Sequence, residues 1–146
     1  MHPTDETLRR IFTQHKSIAV VGMSVRPERA SHYVPLYMQA HGFRITPVNP
    51  MYAVQADGSA GMILGERCYA SLADVPHAID MVNVFRRTED VLPVAQEALA
   101  IGAHCLWQQL DIENAEADAL FRTAGRDSVM NLCLKVAHAQ MFGHAI

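Results

Sequence analysis

The chain lacks the residue patterns that build disulfide frameworks, metal centres and membrane spans. Its three cysteines, Cys68, Cys105 and Cys133, are an odd number without close spacing, so neither a disulfide framework nor a zinc site is indicated. None of its eight histidines forms an i, i+4 pair around an acidic residue, which argues against a metal site. No apolar run approaches the roughly 18 residues of a membrane helix, and the N-terminus lacks a signal-peptide pattern. These absences predict a cytoplasmic protein with no metal and no membrane contact.

Motifs of common catalytic machinery are also missing. The chain has no Walker loop, which argues against nucleoside triphosphate hydrolysis. It has no Gly-x-Ser-x-Gly elbow, so Ser24 is not a convincing nucleophile. Cys133 precedes the last predicted helix and could have a lowered pKa there, but we interpret it as a buried structural cysteine. A net charge of −3 argues against nucleic-acid binding, so any basic site must be local. We assign no catalytic residue.

Short apolar runs alternate with amphipathic stretches along the chain. The predicted strands cover residues 17–22, 44–48, 78–85, 104–108 and 128–132, and residues 64–69 contain a possible short edge strand. The predicted helices begin at Thr4, at Ser31, at or just after Thr88, near Asn114, and after the last strand. This alternation predicts a three-layer, doubly wound α/β fold with a mostly parallel sheet of five to six strands. We expect one domain over residues 1–146.

The segment that follows the first predicted strand indicates an anion site. Gly22 turns the chain into a loop that contains Arg26 and Arg29, and Ser31 is placed to cap the next helix. Free backbone amides and the positive end of the helix dipole converge at such a point. Ten of the twelve basic residues are arginine, which suits planar phosphate recognition. The loop therefore predicts a phosphate-bearing ligand.

The same turn does not match a dinucleotide fingerprint. Ser24 stands where the second glycine is required, and the second predicted strand ends in Asn49 and Pro50 with no carboxylate to hold a ribose hydroxyl. NAD is disfavoured on both counts. The arginines are still compatible with NADP.

A second arginine pair is expected to meet the first. If the first predicted strand lies between the second and third in the sheet, the ligand crevice opens between the carboxyl ends of the first and third strands. Arg86 and Arg87 follow the third strand, and Arg26 and Arg29 follow the first. The fourth strand ends near Trp107, which either covers an adenine or pantetheine arm or packs in the core.

Five segments in order carry a resemblance to a known family. They are residues 18–32, 42–50, 64–76, 84–87 and 107–112. With these, the chain resembles the small single-domain CoA-binding proteins, whose fold is similar to the CoA-binding domain of the succinyl-CoA synthetase alpha subunit. The resemblance implies a Rossmann-like domain that binds coenzyme A or an acyl-CoA, commonly without an assigned reaction.

The resemblance also implies where the ligand lies. The pyrophosphate would lie over residues 22–24 and the amides that lead into the Ser31 helix, while Asn49, Pro50, Phe85 and Arg86 would line the adenosine or pantetheine path. The candidate ligand-binding residues are Gly22, Met23, Ser24, Arg26, Arg29, Ser31, Asn49, Pro50, Phe85, Arg86, Arg87, Trp107 and Gln109.

The chain departs from the family pattern in its C-terminal part. Asp111 replaces a usual glycine, and its charge would repel a nearby phosphate. Asn131 and Leu132 replace an acid and a base, and Ala137 replaces a glutamate. These departures put the C-terminal part of any shared site in doubt.

Our leading hypothesis is a CoA-binding module rather than an enzyme. The alternatives are an NADP-linked oxidoreductase or a CoA-thioester transferase that uses Cys133, and a scaffold for protein interaction. A homodimer or an unidentified protein partner is compatible with each.

Overall fold

The computed structural model describes residues 2–143, which form five helices, seven strands and two short 3-10 helices. The strands are β1 (Ser17–Val21), β2 (Arg44–Val48), β3 (Met62–Ile63), β4 (Glu66–Arg67), β5 (Met81–Val84), β6 (Cys105–Gln108) and β7 (Asp127–Val129). The helices are α1 (Asp5–Gln14), α2 (Ala30–Ala40), α3 (Val91–Ala100), α4 (Ala115–Thr123) and α5 (Leu134–Phe142). The 3-10 helices are Leu72–Asp74 and Thr88–Asp90.

The main sheet has five parallel strands in the order β2-β1-β5-β6-β7. This confirms the predicted α/β, Rossmann-like fold and the predicted strand order. The winding reverses between β1 and β5, so the chain leaves these neighbouring strands in opposite directions. The short strand predicted within residues 64–69 is present as β4, but it pairs with β3 in a separate antiparallel hairpin.

Two apolar clusters cover the two faces of the sheet, as a buried parallel sheet requires. Ile18 and Val20 of β1 face the cluster formed with α1, α2 and α5. Ala19 and Val21 face the cluster formed with α3 and α4. Four of the five residues of β1 are buried, and Ser17 is partly buried. A continuous apolar run in the sequence therefore becomes a central strand covered on both sides.

The start of α2 differs from the prediction. Ser31 does not cap this helix; the helix begins at Ala30, Arg29 is the N-cap residue, and no side chain makes a capping hydrogen bond there. The reason lies in the preceding turn, which the Arg29 amide closes by donating to Arg26 O at 3.1 Å. The Arg29 carbonyl then accepts from the His32 and Tyr33 amides at 2.9 and 3.0 Å, so the backbone is already helical when it reaches Ser31. In contrast, α1 and α4 begin where the sequence predicts, and the Thr4 and Asn114 side chains cap them.

An ion-pair cluster holds α1 against the amino end of β7. The Arg10 guanidinium donates two hydrogen bonds to the Asp127 carboxylate, at 2.8 and 2.7 Å. His15 Nε2 lies 3.1 Å from the same carboxylate. The hydrogen bonds from Arg10 hold the pKa of Asp127 below its usual value, and His15 adds to this effect although burial opposes it. The carboxylate form is thus favoured by folding.

We expect Asp127→Asn to destabilise the protein in a pH-dependent way. A carboxylate with a depressed folded-state pKa stabilises the fold above its unfolded pKa of about 4, and loses this effect as the pH falls through the folded value. The expected loss at pH 7 is about 1–2 kcal/mol, since Arg10 is partly exposed. Urea unfolding at pH 7, 5 and 3 should show the difference from the unmodified protein shrinking with acid. Glu113→Gln, at an exposed carboxylate, is the control and should show no such trend; a pH-independent loss for Asp127→Asn would contradict the assignment.

Candidate ligand-binding site

The carboxyl ends of β1 and β5 lie in direct contact. Gly22 follows β1 with φ +89°, and a Cβ atom added to it would lie 2.3 Å from the Phe85 carbonyl oxygen. The Phe85 amide donates to Val21 O at 2.9 Å, and the Gly22 amide donates to Val48 O at 2.8 Å. Only glycine combines this backbone conformation with so close an approach. The loops after β1 and β5 therefore begin side by side.

The loop after β1 is ordered by its own polar groups. The Ser24 amide donates to Ser31 O at 3.2 Å, and His32 Nδ1 lies 2.8 Å from Ser24 O. Within residues 2–143, the amides of Ala30 and Ser31 have no hydrogen-bond acceptor. They are the first two amides of an eleven-residue helix, so they point toward the carboxyl edge of the sheet together with the positive end of its dipole.

A crevice of about 510 Å³ opens beside these amides. It is lined by Ala30, Ser31, Phe85, Arg86, Arg87, Asp90 and Ile112. The residues come from the start of α2, the loop after β5, the 3-10 turn before α3, and the loop after β6. The crevice thus lies where a doubly wound sheet places its ligand, and four of its lining residues are candidates from the sequence analysis: Ser31, Phe85, Arg86 and Arg87.

The four predicted arginines divide into two kinds. The side chains of Arg29 and Arg86 have no hydrogen-bond or ion-pair partner within residues 2–143. Arg26 pairs with Glu28 at 3.2 Å. Arg87 pairs with Asp90 at 3.1 Å and with Glu89 at 3.2 Å, and the hydrogen bond to Asp90 raises the pKa of Arg87. Two cations are thus open to an external anion, and two already have carboxylate neighbours.

Asn49 and Met23 shape the loop from beneath. Asn49 is buried; its side-chain amide donates to Met23 O at 2.9 Å, and its side-chain oxygen accepts from the Met51 amide at 3.0 Å. Met23 is fully buried in the core. Pro50 is exposed in the turn after β2. The end of β2 is therefore tied to the β1 loop by one carboxamide, while the side chains of Asn49 and Met23 are occupied within the protein.

Trp107 packs in the core rather than at the crevice. Its side chain is fully buried, its indole N–H donates to Leu132 O at 2.7 Å, and its ring centroid lies 5.6 Å from that of Phe12. Of the two interpretations of this residue, the structure supports core packing and corrects the expectation of an exposed ring. Gln109 is also buried; its oxygen accepts from the Leu134 amide at 3.2 Å, at the start of α5.

The sequence analysis missed a polar group in the middle of the sheet. Asn83 lies in β5, is fully buried, and donates to Trp107 O at 3.2 Å and to Gln109 Oε1 at 3.4 Å. Asn83 thus joins β5 to β6 and, through Gln109, to the start of α5 at the carboxyl end of the sheet. The signal was a single amide in an otherwise apolar strand, where an unpaired polar group would be costly.

The departures in the C-terminal part have a structural explanation. Asp111 has φ +68° and Asn131 has φ +55°, so both occupy the left-handed region that favours glycine. The Asp111 amide donates to Asn131 Oδ1 at 2.7 Å. A neutral carboxamide here joins the loops after β6 and β7 without placing a second carboxylate beside Asp111.

The three thiols are free, and burial raises the pKa of Cys68 and Cys105. Cys133 is half-buried at the N-cap of α5. In the part of the chain that the structure describes, no three His, Cys, Asp or Glu side chains are grouped so that they could hold a metal ion. Between residues 2 and 143, no helix has the length and apolar character needed to cross a bilayer.

The parallel sheet, the glycine turn after β1 and the basic crevice beside α2 define a Rossmann-like α/β domain with its opening at the carboxyl edge. A family model described as CoA binding domain matches residues 16–139. The chain therefore belongs to the CoA-binding domain family.

Relatives and solved structures agree with this assignment. The chain is 41% identical over 138 residues to the uncharacterised protein YneT of Bacillus subtilis, covering 94% of this chain and 96% of YneT. A Thermus thermophilus structure is 34% identical with a TM-score of 0.87, covering 96% of this chain and all of that chain. A hypothetical protein from Pyrococcus horikoshii is 35% identical with a TM-score of 0.87, covering 97% and 94%.

A larger enzyme shares the fold. An acetyl-coenzyme A synthetase from Ca. Korarchaeum cryptofilum is 22% identical with a TM-score of 0.68; the match covers 89% of this chain and 30% of the synthetase. At this identity the match shows a common fold. The fold thus occurs both in chains of this size and as one part of a longer enzyme.

We expect Gly22→Ala to cost at least about 2 kcal/mol more than Gly102→Ala. Both glycines have positive φ, so both changes carry the roughly 1–2 kcal/mol strain of a left-handed non-glycine residue. Only at Gly22 would the new methyl group also meet a backbone oxygen; at Gly102 nothing lies within 4 Å. Denaturant unfolding of the two variants measures the cost of the steric overlap at Gly22 beyond the backbone strain that both variants share. Equal losses of unfolding free energy would show that the loops after β1 and β5 move apart at little cost.

Proposed function

We propose that this protein binds coenzyme A or an acyl-CoA in the crevice at the carboxyl edge, as a binding module without chemistry of its own. The single observation that supports this most strongly is the contact of Gly22 with Phe85. It brings Arg86 beside the start of α2, where Arg29 is the N-cap residue. The family to which the chain belongs is described as a CoA binding domain.

The diphosphate lies at the start of α2. The amides of Ala30 and Ser31 offer two donors, the helix dipole favours negative charge, and Arg86 and Arg29 supply cations that form no ion pair within residues 2–143. The Asp90 carboxylate also lines the crevice, but it is paired with Arg87 at 3.1 Å. Arg26 and Arg87 are highly exposed and hold their carboxylates in surface ion pairs. Such pairs contribute little, so these two arginines take a secondary part in binding.

The apolar wall of the crevice suits the pantetheine arm. Phe85 and Ile112 line it, and both are partly buried. A ligand with a charged centre and a long, weakly polar arm matches a crevice that is basic at one side and apolar at the other. The acetyl-coenzyme A synthetase that shares this fold is named for a reaction of the same cofactor.

The crevice lining supports binding more than catalysis. Its one hydroxyl belongs to Ser31, none of its seven residues is a histidine or a cysteine, and its one carboxylate, Asp90, is paired with Arg87 at 3.1 Å. A serine nucleophile requires a neighbouring base. Binding of the ligand would therefore leave its thioester or thiol chemically unchanged at this point.

The test is calorimetric titration of the protein and two double variants with CoA. Arg29→Ala with Arg86→Ala should weaken CoA binding by about tenfold or more, because each charge-assisted phosphate contact is worth roughly 1.5–3 kcal/mol. The matched control, Arg26→Ala with Arg87→Ala, removes the same charge from the paired arginines and should have a smaller effect.

Acetyl-CoA, NAD, NADP and ATP are titrated in parallel. We expect CoA or acetyl-CoA to bind and the nucleotides to bind weakly. Selective binding of NADP would replace this proposal with the oxidoreductase alternative. Equal losses in the two double variants would contradict the assignment of the diphosphate to Arg29 and Arg86.

A further inference from the structure

Lys135 is a cation outside the crevice lining that has aromatic neighbours and no counter-ion. It is the second residue of α5, and its ammonium nitrogen lies 5.2 Å from the Tyr33 ring centroid and 5.7 Å from that of Tyr37. Within residues 2–143, no carboxylate forms an ion pair with it. The residue is half-buried, so its side chain packs against the two rings while its ammonium has no carboxylate partner.

The position of Lys135 follows from the two helices that meet at the carboxyl edge. Both α2 and α5 begin after loops that leave this edge, on the same face of the sheet, and they pack together. Tyr33 lies three residues beyond Ala30, which lines the crevice; this is about 5 Å along the helix. The ammonium is therefore near the crevice and beyond its diphosphate end.

The two tyrosines play different parts. Tyr37 is buried and its hydroxyl forms a 2.9 Å hydrogen bond with His138 Nδ1, which fixes the ring. Burial raises the pKa of Tyr37, so the phenol keeps its proton at neutral pH and does not neutralise Lys135. Tyr33 is 42% exposed and offers an open ring beside the same ammonium. A cation next to an exposed aromatic ring can hold an anion and a flat or flexible group beside it.

We propose that Lys135 and Tyr33 form a second anion subsite, which holds a charged group of the CoA ligand remote from its diphosphate. This inference rests on the proposed function. Two parts of such ligands carry that chemistry. One is the 3′-phosphate of the nucleotide, whose adenine would stack on Tyr33. The other is the terminal carboxylate of a dicarboxylic acyl group on the pantetheine thiol.

Paired ligands distinguish the two sources. CoA is compared with 3′-dephospho-CoA, and succinyl-CoA with acetyl-CoA, by calorimetric titration of the unmodified protein, Lys135→Met and Lys135→Arg. In one of these two pairs, the unmodified protein should bind the ligand that carries the extra anion about tenfold more tightly than the other member of the pair. Lys135→Met should remove that difference, and Lys135→Arg should retain most of it. Loss in the first pair identifies the 3′-phosphate, and loss in the second identifies the carboxylate.

Lys16→Met is the matched control. Lys16 also places its ammonium over an aromatic ring, 4.4 Å from the Phe43 centroid, but it precedes β1 at the opposite edge of the sheet. Its replacement should leave both pairs unchanged. The subsite is overturned, while CoA binding stands, if the unmodified protein binds the two members of each pair with equal affinity. It is also overturned if Lys135→Met lowers the affinity for all four ligands equally. Absence of binding by all four ligands overturns the proposed function and the subsite with it.

Discussion

The site depends on the contact between the backbone at Gly22 and the carbonyl of Phe85. Two parallel strands whose connections run in opposite directions leave a gap at their carboxyl ends, and the width of that gap is set by how closely the first residues after each strand approach. The missing Cβ at Gly22 lets the two loops touch. Once they touch, the start of α2 and Arg86 face the same space. The approach of Arg86 to the start of α2 therefore follows from a steric requirement.

Much of the fold could be predicted because its signals are local. The apolar run at Ile18–Val21 predicts a strand, and Thr4 and Asn114 mark the predicted starts of two helices; each prediction was confirmed. The start of α2 was predicted wrongly, because a turn closed by the Arg29 amide and Arg26 O brings the backbone into the helix before Ser31. A local capping preference cannot include a turn that depends on the fold of the preceding loop.

The site was harder to predict, since side-chain exposure depends on distant residues. The sequence predicted four arginines at one edge, but the carboxylates that occupy Arg26 and Arg87 divide them into two classes. Trp107 lies near the end of β6 at the same edge, yet its ring points into the cluster of α1 and α5. Period-two alternation places Trp107 on the same face as Cys105, and this favours core packing of the two interpretations that the sequence left open. The role of Asn83 was visible only as a polar residue in an apolar strand.

The central position of β1 also has a kinetic consequence. The first residue of β1, Ser17, donates its amide hydrogen to the Asp80 carboxylate just before β5. These two residues are 63 positions apart in the chain. Pairing at this separation costs loop-closure entropy before the contacts that stabilise it can form. Folds of this kind therefore fold slowly compared with helical proteins. The crevice has no walls until this pairing is made. The crevice therefore cannot form within a local segment of a partly folded chain, because its walls come from residues that only this long-range pairing brings together.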